Sequence, residues 1–238
     1  MYHSPSVLKL DSLLKDTTMK TDKYGRTYHL PFSEGVTNDD RVCWDWEDIL
    51  EQELVITEKL DGENTCLKAD GVYARSHANT TRNPWAKNAW AIWDRIGHSL
   101  GSLEIFGENL YGIHSITYKQ LPAHFFVLGI RDEGRWLAWE EVVFYAECLD
   151  LFTVPLLEQG HFSRKELTTH IERIMAYGSA FGGACEGIVL RPSKSFLVEE
   201  FPHKVLKYVR KNHVKTDEHW TKNWKRASLW YDQLLVGE

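Results

Sequence analysis

Lys59 is the residue from which chemistry is most readily built. It stands in "ITEKLDGENT" (56–65), at the end of an apolar, β-branched run and immediately before a glycine turn. A primary amine with an ordinary pKa of about 10.4 is protonated and inert near neutral pH, so it becomes a nucleophile only where its surroundings free its lone pair. The plainer reading is a solvated lysine beside a tight turn, and those ten residues fit both. The segments that follow separate the two: "YARS" (73–76), "FGENLYG" (106–112), "FFVLGI" (125–130), "EGIVLRP" (186–192) and "VLKYVR" (205–210) come in order. Each is a short strand-like stretch that delivers a charged or aromatic residue.

The elements that must hold these residues can be read from periodicity. "LVITEK" (54–59) is β-branched and apolar, and "TCLKADGVYARS" reads as a hairpin with Asp70-Gly71 at its turn. Trp85, Ala89, Ile92, Trp93 and Ile96 recur at helical spacing behind Pro84, which predicts a helix start. Strands are predicted within 103–112, 124–132, 185–192 and 204–210, and "RWLAWEEVVFYAECLDL" predicts a strand running into a helix. A Ser163/Glu166 capping box opens another helix that closes near Gly178. "WDWEDILEQE" (44–53) predicts a short helix with a solvated acidic face, and the aromatic residues from Asp217 onward predict a terminal helix. Strands and helices mingle without βαβ alternation, which predicts an α+β fold on antiparallel sheets. No GxxxxGK[ST] or GxGxxG loop occurs, so a nucleotide would be held by side chains on strands.

Composition sets the outer bounds. The 238 residues are 43% hydrophobic and 26% charged, as in an ordinary globular protein. The start shows neither a signal-peptide pattern nor a membrane-length apolar run, so a cytoplasmic protein with no membrane partner is expected. Cys43, Cys66, Cys148 and Cys185 show no CxxC pair and are read as small buried apolar residues. A net charge of −6 excludes a protein that coats nucleic acid by bulk charge, yet "HKVLKYVRKNHVK" and "TKNWKRAS" leave room for a local basic surface.

The ordered set of segments resembles the covalent nucleotidyltransferase superfamily, which includes ATP-dependent RNA and DNA ligases and capping enzymes. The closest likeness is to RNA ligases related to the phage nick-sealing enzyme. "KLDG" is similar to the nucleophile motif, "FGEN" to the third motif, "EGIVLR" to the fourth and "LKYV" to the fifth. Lys59-x-x-Gly62-x-Asn64 carries the asparagine that marks RNA ligases. The resemblance covers about 54–215 and implies a nucleotidyltransferase (ATP-grasp-like) domain whose antiparallel sheets flank a nucleotide cleft. Residues 1–53 are then an N-terminal extension packed on it, and 216–238 a short helical tail with no oligonucleotide-binding (OB) barrel.

The resemblance also implies roles. Lys59, in a cleft with Arg75, Lys207 and a bound metal, would attack the α-phosphate of ATP, giving lysyl-AMP and pyrophosphate. Glu58 would read the adenine edge and Phe126 (or Phe125) would stack on the ring. Arg75 and Glu108 would hold the ribose hydroxyls, and Asn64 would organise the phosphates. Glu186 would bind Mg²⁺ or Mn²⁺, and Lys207 would neutralise phosphate charge. Asp61 and Gly62 would shape the turn. The family's fifth motif usually reads Lys-x-Lys, whereas this chain has Val209 at the second position, with Arg210 or Lys211 as candidate replacements.

The implied activity is ATP-dependent joining of 5′-phosphate and 3′-hydroxyl RNA ends in RNA repair. The implied partners are RNA ends or a nicked duplex, with room for an end-healing kinase or phosphatase, and a monomer is expected. Arg191, Arg210, Lys211 and Lys215 are candidate RNA contacts. Competing readings are a DNA ligase, a capping-type nucleotidyltransferase, or a catalytically silent RNA-binding relative.

Overall fold

The computed structural model describes residues 23–211 and 220–233. Its strands are β1 (Tyr28–His29), β2 (Leu54–Lys59), β3 (Glu63–Lys68), β4 (Gly71–Ala74), β5 (Glu104–Asn109), β6 (Phe125–Asp132), β7 (Arg135–Trp136), β8 (Phe152–Thr153), β9 (Leu156–Gly160), β10 (Gly187–Pro192), β11 (Phe196–Leu197) and β12 (Leu206–Val209). The α-helices are α1 (Lys87–Ile96), α2 (Trp139–Cys148), α3 (Arg164–Tyr177) and α4 (Phe201–Lys204). The strands form two sheets, in the orders β1-β12-β10-β2-β9 and β11-β7-β6-β5-β3-β4, with β8 added beside β6. Pairing is antiparallel except where β1 meets β12 and β8 meets β6.

Period-two alternation assigns each side chain to a face. Leu54, Ile56, Ile188, Leu190 and Leu206 of the first sheet pack against Leu167 and Ile171 of α3. The inner face of the second sheet contributes Cys66, Phe106 and Trp136, which meet Phe201, Val205, Tyr24 and Val189 between the sheets. Leu67, Val72, Ile105 and Ile130 turn the other way, toward Ala89 and Ile96 of α1 and Val142 and Ala146 of α2. Each fully buried aliphatic side chain contributes about 1.5–3 kcal/mol, so these layers fix the sheets that carry the site.

Most helix ends follow their sequence signals. Ser163 accepts from the Glu166 amide while Glu166 reaches back to Ser163, and Gly178 caps α3. Pro84 opens a 3-10 turn that continues into α1. Trp46–Glu51 is a 3-10 helix with Trp46 and Ile49 buried beneath an exposed acidic side.

Three expectations are corrected. The β3–β4 loop is Ala69-Asp70, because Lys68 pairs with Gly71 and makes that glycine the first residue of β4. Cys148 is exposed at the end of α2, unlike the three other cysteines. The tail is not an α-helix where described: 3-10 turns at Trp220–Lys222 and Trp230–Gln233 flank an extended stretch. In that stretch the Ala227 amide donates to Tyr111 O (2.9 Å) and Lys225 O accepts from the Ile113 amide (2.9 Å). Ala227 and Leu229 are both buried, two residues apart, which is strand rather than helix spacing. Trp220 stacks on His114 and meets Trp85, and Trp224 meets Tyr111, whereas Trp230 stays exposed. Among the described residues no helix is long and apolar enough to cross a membrane.

Candidate functional site

The site lies where the end of β2 and the start of β10 face the start of β3 and the end of β5. Lys59 closes β2 and pairs in register with Gly187, which pairs with Val209 of β12. Two residues along the same face, Thr57 pairs with Val189 and Val189 with Lys207. Alternation therefore puts Lys59, Lys207 and Val209 on one face of the first sheet. The register demands glycine at 187, since a Cβ there would sit 2.0 Å from the Tyr208 carbonyl oxygen.

The second sheet supplies a transverse row. Asn64 pairs with Glu108 and Glu108 with Phe126, so the three share a face, and Arg75 follows Ala74, the partner of Thr65. This selects Phe126 over Phe125: the Phe125 ring lies instead beneath Gly107, where an added Cβ would be 2.2 Å from it.

Lys59 Nζ lies 2.7 Å from one oxygen of Glu186 and 2.8 Å from the other. The lysine side chain keeps 26% of its surface exposed while Glu186 keeps 5%, so the lysine stem is partly open and its carboxylate partner is not. Glu108 reaches the turn after β2, accepting from the Gly62 amide at 3.0 Å. A Cβ on Gly62 would stand 2.6 Å from Asn109 O, and only glycine fits that approach. Asp61 Oδ2 caps the loop opposite, receiving Ser115 N, Ser115 Oγ and Ile116 N at 2.6–2.9 Å, while Asp61 N donates to Tyr118 Oη.

The electrostatics differ from the sequence expectation of a lysine activated by cations. Burial opposes the Lys59 charge, but Glu186 and Glu108 outweigh it and raise its pKa. Burial also pushes Glu108 up to about 8, against the pull of Lys59 and reinforced by Glu186. The pocket thus carries more buried carboxylate than the ammonium can balance, which is the environment a hard divalent cation suits. Two further acceptors are orphaned. Glu58 Oε1 and Asn64 Oδ1 are buried without a hydrogen-bond partner, although Glu58 Oε2 takes the Ala180 amide at 2.8 Å. Burial raises the Glu58 carboxyl as well. Phe126 is buried with its ring 4.9 Å from Phe181.

The other expected residues are distributed unevenly. Arg75 is exposed just beyond β4. Lys207 lies on the Lys59 face, where burial lowers its pKa while Asp40 opposes the change. Arg191, expected to contact RNA, is instead a core residue: it donates to Leu137 O at 2.7 Å and lies over the rings of Trp139 and Phe196. Its position in β10 has the parity of Val189, which turns it between the sheets, out of reach of a strand of RNA. Arg210 is half-buried with its amide on Glu186 O, Lys211 is exposed, and Lys215 lies outside the described residues. Val209 is buried under the N-terminal segment, its amide on Ser33 Oγ (2.9 Å) and its carbonyl on Gly35 N (2.8 Å).

Sequence reasoning missed Tyr118, Phe181 and the Asp40 contact to Lys207, because each joins segments tens to hundreds of residues apart. It also missed that Cys43, Asp45 and His203 bring ligand-type atoms within 4.8 Å of one another. A cavity of about 890 Å³ beside Lys68, Glu104 and Arg131 is lined by none of the expected site residues.

Comparison with solved structures finds the same fold. An archaeal ATP-dependent RNA ligase aligns at TM-score 0.56 and 16% identity, over 79% of this chain and 48% of that one. The Naegleria gruberi RNA ligase, solved as a lysine-to-alanine variant with ATP and Mn, aligns at 0.54 and 18%, over 80% and 58%. A protein assigned as an ATP-dependent DNA ligase from Aquifex aeolicus aligns at 0.50 and 20%, over 79% and 50%. The chain spans about half the length of these structures. Comparison of the sequence with curated proteins yields no match. The RNA ligase family model matches residues 52–209, the span that holds Lys59, Asn64, Glu108, Glu186 and Lys207, and the chain belongs to that family.

Proposed function

We propose that this protein is an ATP-dependent RNA ligase that joins 5′-phosphate and 3′-hydroxyl RNA ends through a covalent lysyl-AMP on Lys59. The observation that carries this reading is the partly exposed Lys59 side chain whose amine is paired at 2.7 Å with buried Glu186 and flanked by Glu108. The first step forms a bond between Lys59 Nζ and the α-phosphorus of ATP and breaks the bond to the bridging oxygen, releasing pyrophosphate. Before attack the amine must lose a proton, and the Glu186 carboxylate is the group in contact with it. Glu186 would also hold a Mg²⁺ or Mn²⁺, which would supply charge neutralisation to the phosphates.

The orphaned acceptors fit the nucleotide. Glu58 Oε1 suits an adenine N–H and Phe126 the ring face; Glu108 and Arg75 suit the ribose hydroxyls, and Asn64 and Lys207 the phosphates. AMP then passes to an RNA 5′-phosphate, and the 3′-hydroxyl displaces it to seal the backbone. Exposed Lys211, Lys222 and Lys225 are candidates for holding that backbone. RNA repair, with an end-healing kinase or phosphatase preparing the termini, is the setting that matches this reaction.

The test is incubation of the purified chain with labelled ATP or GTP and Mg²⁺. Label from ATP is expected, with complete loss in Lys59→Ala. Label from GTP alone supports a capping-type enzyme, and persistence of label in Lys59→Ala refutes the nucleophile. Sealing of nicked RNA but not nicked DNA separates RNA from DNA ligation.

A further inference from the structure

The second lysine of the fifth motif is missing, and the structure shows what occupies its surroundings. The segment 28–40 lies along β12: Tyr28 and His29 pair with Leu206 and Lys207, and the Leu30 amide donates to Lys207 O at 2.9 Å. The turn at Ser33–Gly35 covers Val209, and a Cβ on Gly35 would be 2.8 Å from Val209 Cγ1. A lysine at 209 would meet this turn rather than a phosphate.

The same segment grips the lysine that remains. Lys207 Nζ lies 3.3 Å from Asp40 Oδ1. Asp40 Oδ2 is fixed by Thr37, receiving its amide at 3.1 Å and its hydroxyl at 2.8 Å. His29 Nε2 stands 3.2 Å from Asp40 Oδ1, and His29 Nδ1 is 2.8 Å from Ser33 Oγ. Ser33 Oγ accepts from the Val209 amide, and its hydroxyl has both His29 Nδ1 and Val209 O (3.4 Å) within reach. Burial, with Lys207 next, holds the His29 pKa down at about 4, so the imidazole is neutral and does not compete with Lys207 for the Asp40 charge. A lysine is a point charge on four rotatable bonds, and one that acts without a companion has most to gain from being aimed.

We propose that Asp40, backed by His29 and Thr37, is a positioning residue that holds Lys207 toward the nucleotide phosphates, so that the N-terminal segment completes the site in place of the second lysine. The proposal rests on the ligase reading given above. The charged and titratable groups around Lys207 are Asp40 and His29 from the N-terminal segment, Lys59 from β2 and Glu186 before β10. Of these, Asp40 and Glu186 raise the Lys207 pKa and Lys59 lowers it.

The experiment compares the full chain with Asp40→Asn and Asp40→Glu. Single-turnover lysyl-AMP formation is followed from pH 6 to 10 over a range of ATP concentrations. In parallel, the Lys207 side-chain NMR signal, assigned with Lys207→Arg, is titrated without ATP. Asp40→Asn is expected to raise the KM for ATP about tenfold and to shift the alkaline limb of the rate profile to lower pH. The Lys207 titration is expected to move in the same direction, and Asp40→Glu to restore most of both. An Asp40→Asn protein with an unchanged limb and an unchanged Lys207 titration, or one that adenylylates faster than wild type, overturns the proposal. If the wild type takes no label, the ligase reading fails, and the Lys207 titration still decides whether Asp40 holds it.

Discussion

Replacing Glu108 by glutamine keeps the side-chain shape and the acceptor for the Gly62 amide, but removes the charge that the pocket accommodates worst. Burial and the neighbouring Glu186 raise the Glu108 pKa from 4.5 to about 8 despite the attraction of Lys59. A group with a raised folded pKa holds its proton more tightly in the native than in the unfolded chain. Its contribution to stability is therefore intact below about pH 4.5 and drains away as pH rises toward 8. At 1.36 kcal/mol per pKa unit the displacement is worth about 5 kcal/mol. Glutamine has no such loss, although Lys59 forfeits one favourable neighbour, so the net gain of Glu108→Gln at pH 8.5 is about 3–5 kcal/mol, against almost none at pH 5. For a chain of this size that is a rise of about 10 °C in Tm. Denaturant unfolding at pH 5, 6.5 and 8.5, without ATP or divalent cation, reads the difference directly. Parallel stability curves for the two proteins would refute the idea that Glu108 is a buried, uncompensated carboxylate. Saturating Mg²⁺ should narrow the gap by stabilising the wild type, with two carboxylates in the pocket, more than the variant with one.

Two further outcomes follow from the geometry. Gly187→Ala places a Cβ 2.0 Å from Tyr208 O, so β10 and β12 must part beside Lys59 and Lys207. A loss of about 2–4 kcal/mol is expected, with adenylylation abolished, and a wild-type melting curve would contradict the register. Phe126→Leu retains an apolar side chain on the Glu108 face but removes the aromatic ring. The melting temperature is expected to drop by a few degrees while the KM for ATP rises about tenfold, since base–aromatic stacking is worth about 1–3 kcal/mol. An unchanged KM would exclude Phe126 as the adenine platform.

Much of the fold is written locally. The β-branched run of β2, the Ser163/Glu166 box of α3, Pro84 before α1 and the strands bearing the fourth and fifth motifs are short-range signals. The structure keeps them because neighbouring tertiary contacts agree with local preference. The tail shows the opposite case: its aromatic spacing suggests a helix, but backbone bonds to Tyr111 and Ile113 and burial of Ala227 and Leu229 pull it extended. Arg191 likewise reads as a surface cation from its neighbours in sequence, and only strand parity and the packing of Trp139 and Phe196 reveal a buried one.

The sequence alone determined which residues could do chemistry and in what order the strands would present them, because residue type and strand alternation are local properties. Tertiary structure decided the state of those residues. Lys59 is held as an ammonium because Glu186, distant in the chain, lies 2.7 Å away. Phe126 rather than Phe125 shares the Glu108 face because a bulge and the β5–β6 register set it there. Lys207 is paired with Asp40 because β1 runs beside β12. Charge state and aim depend on distance and burial, and those exist only once the chain has folded.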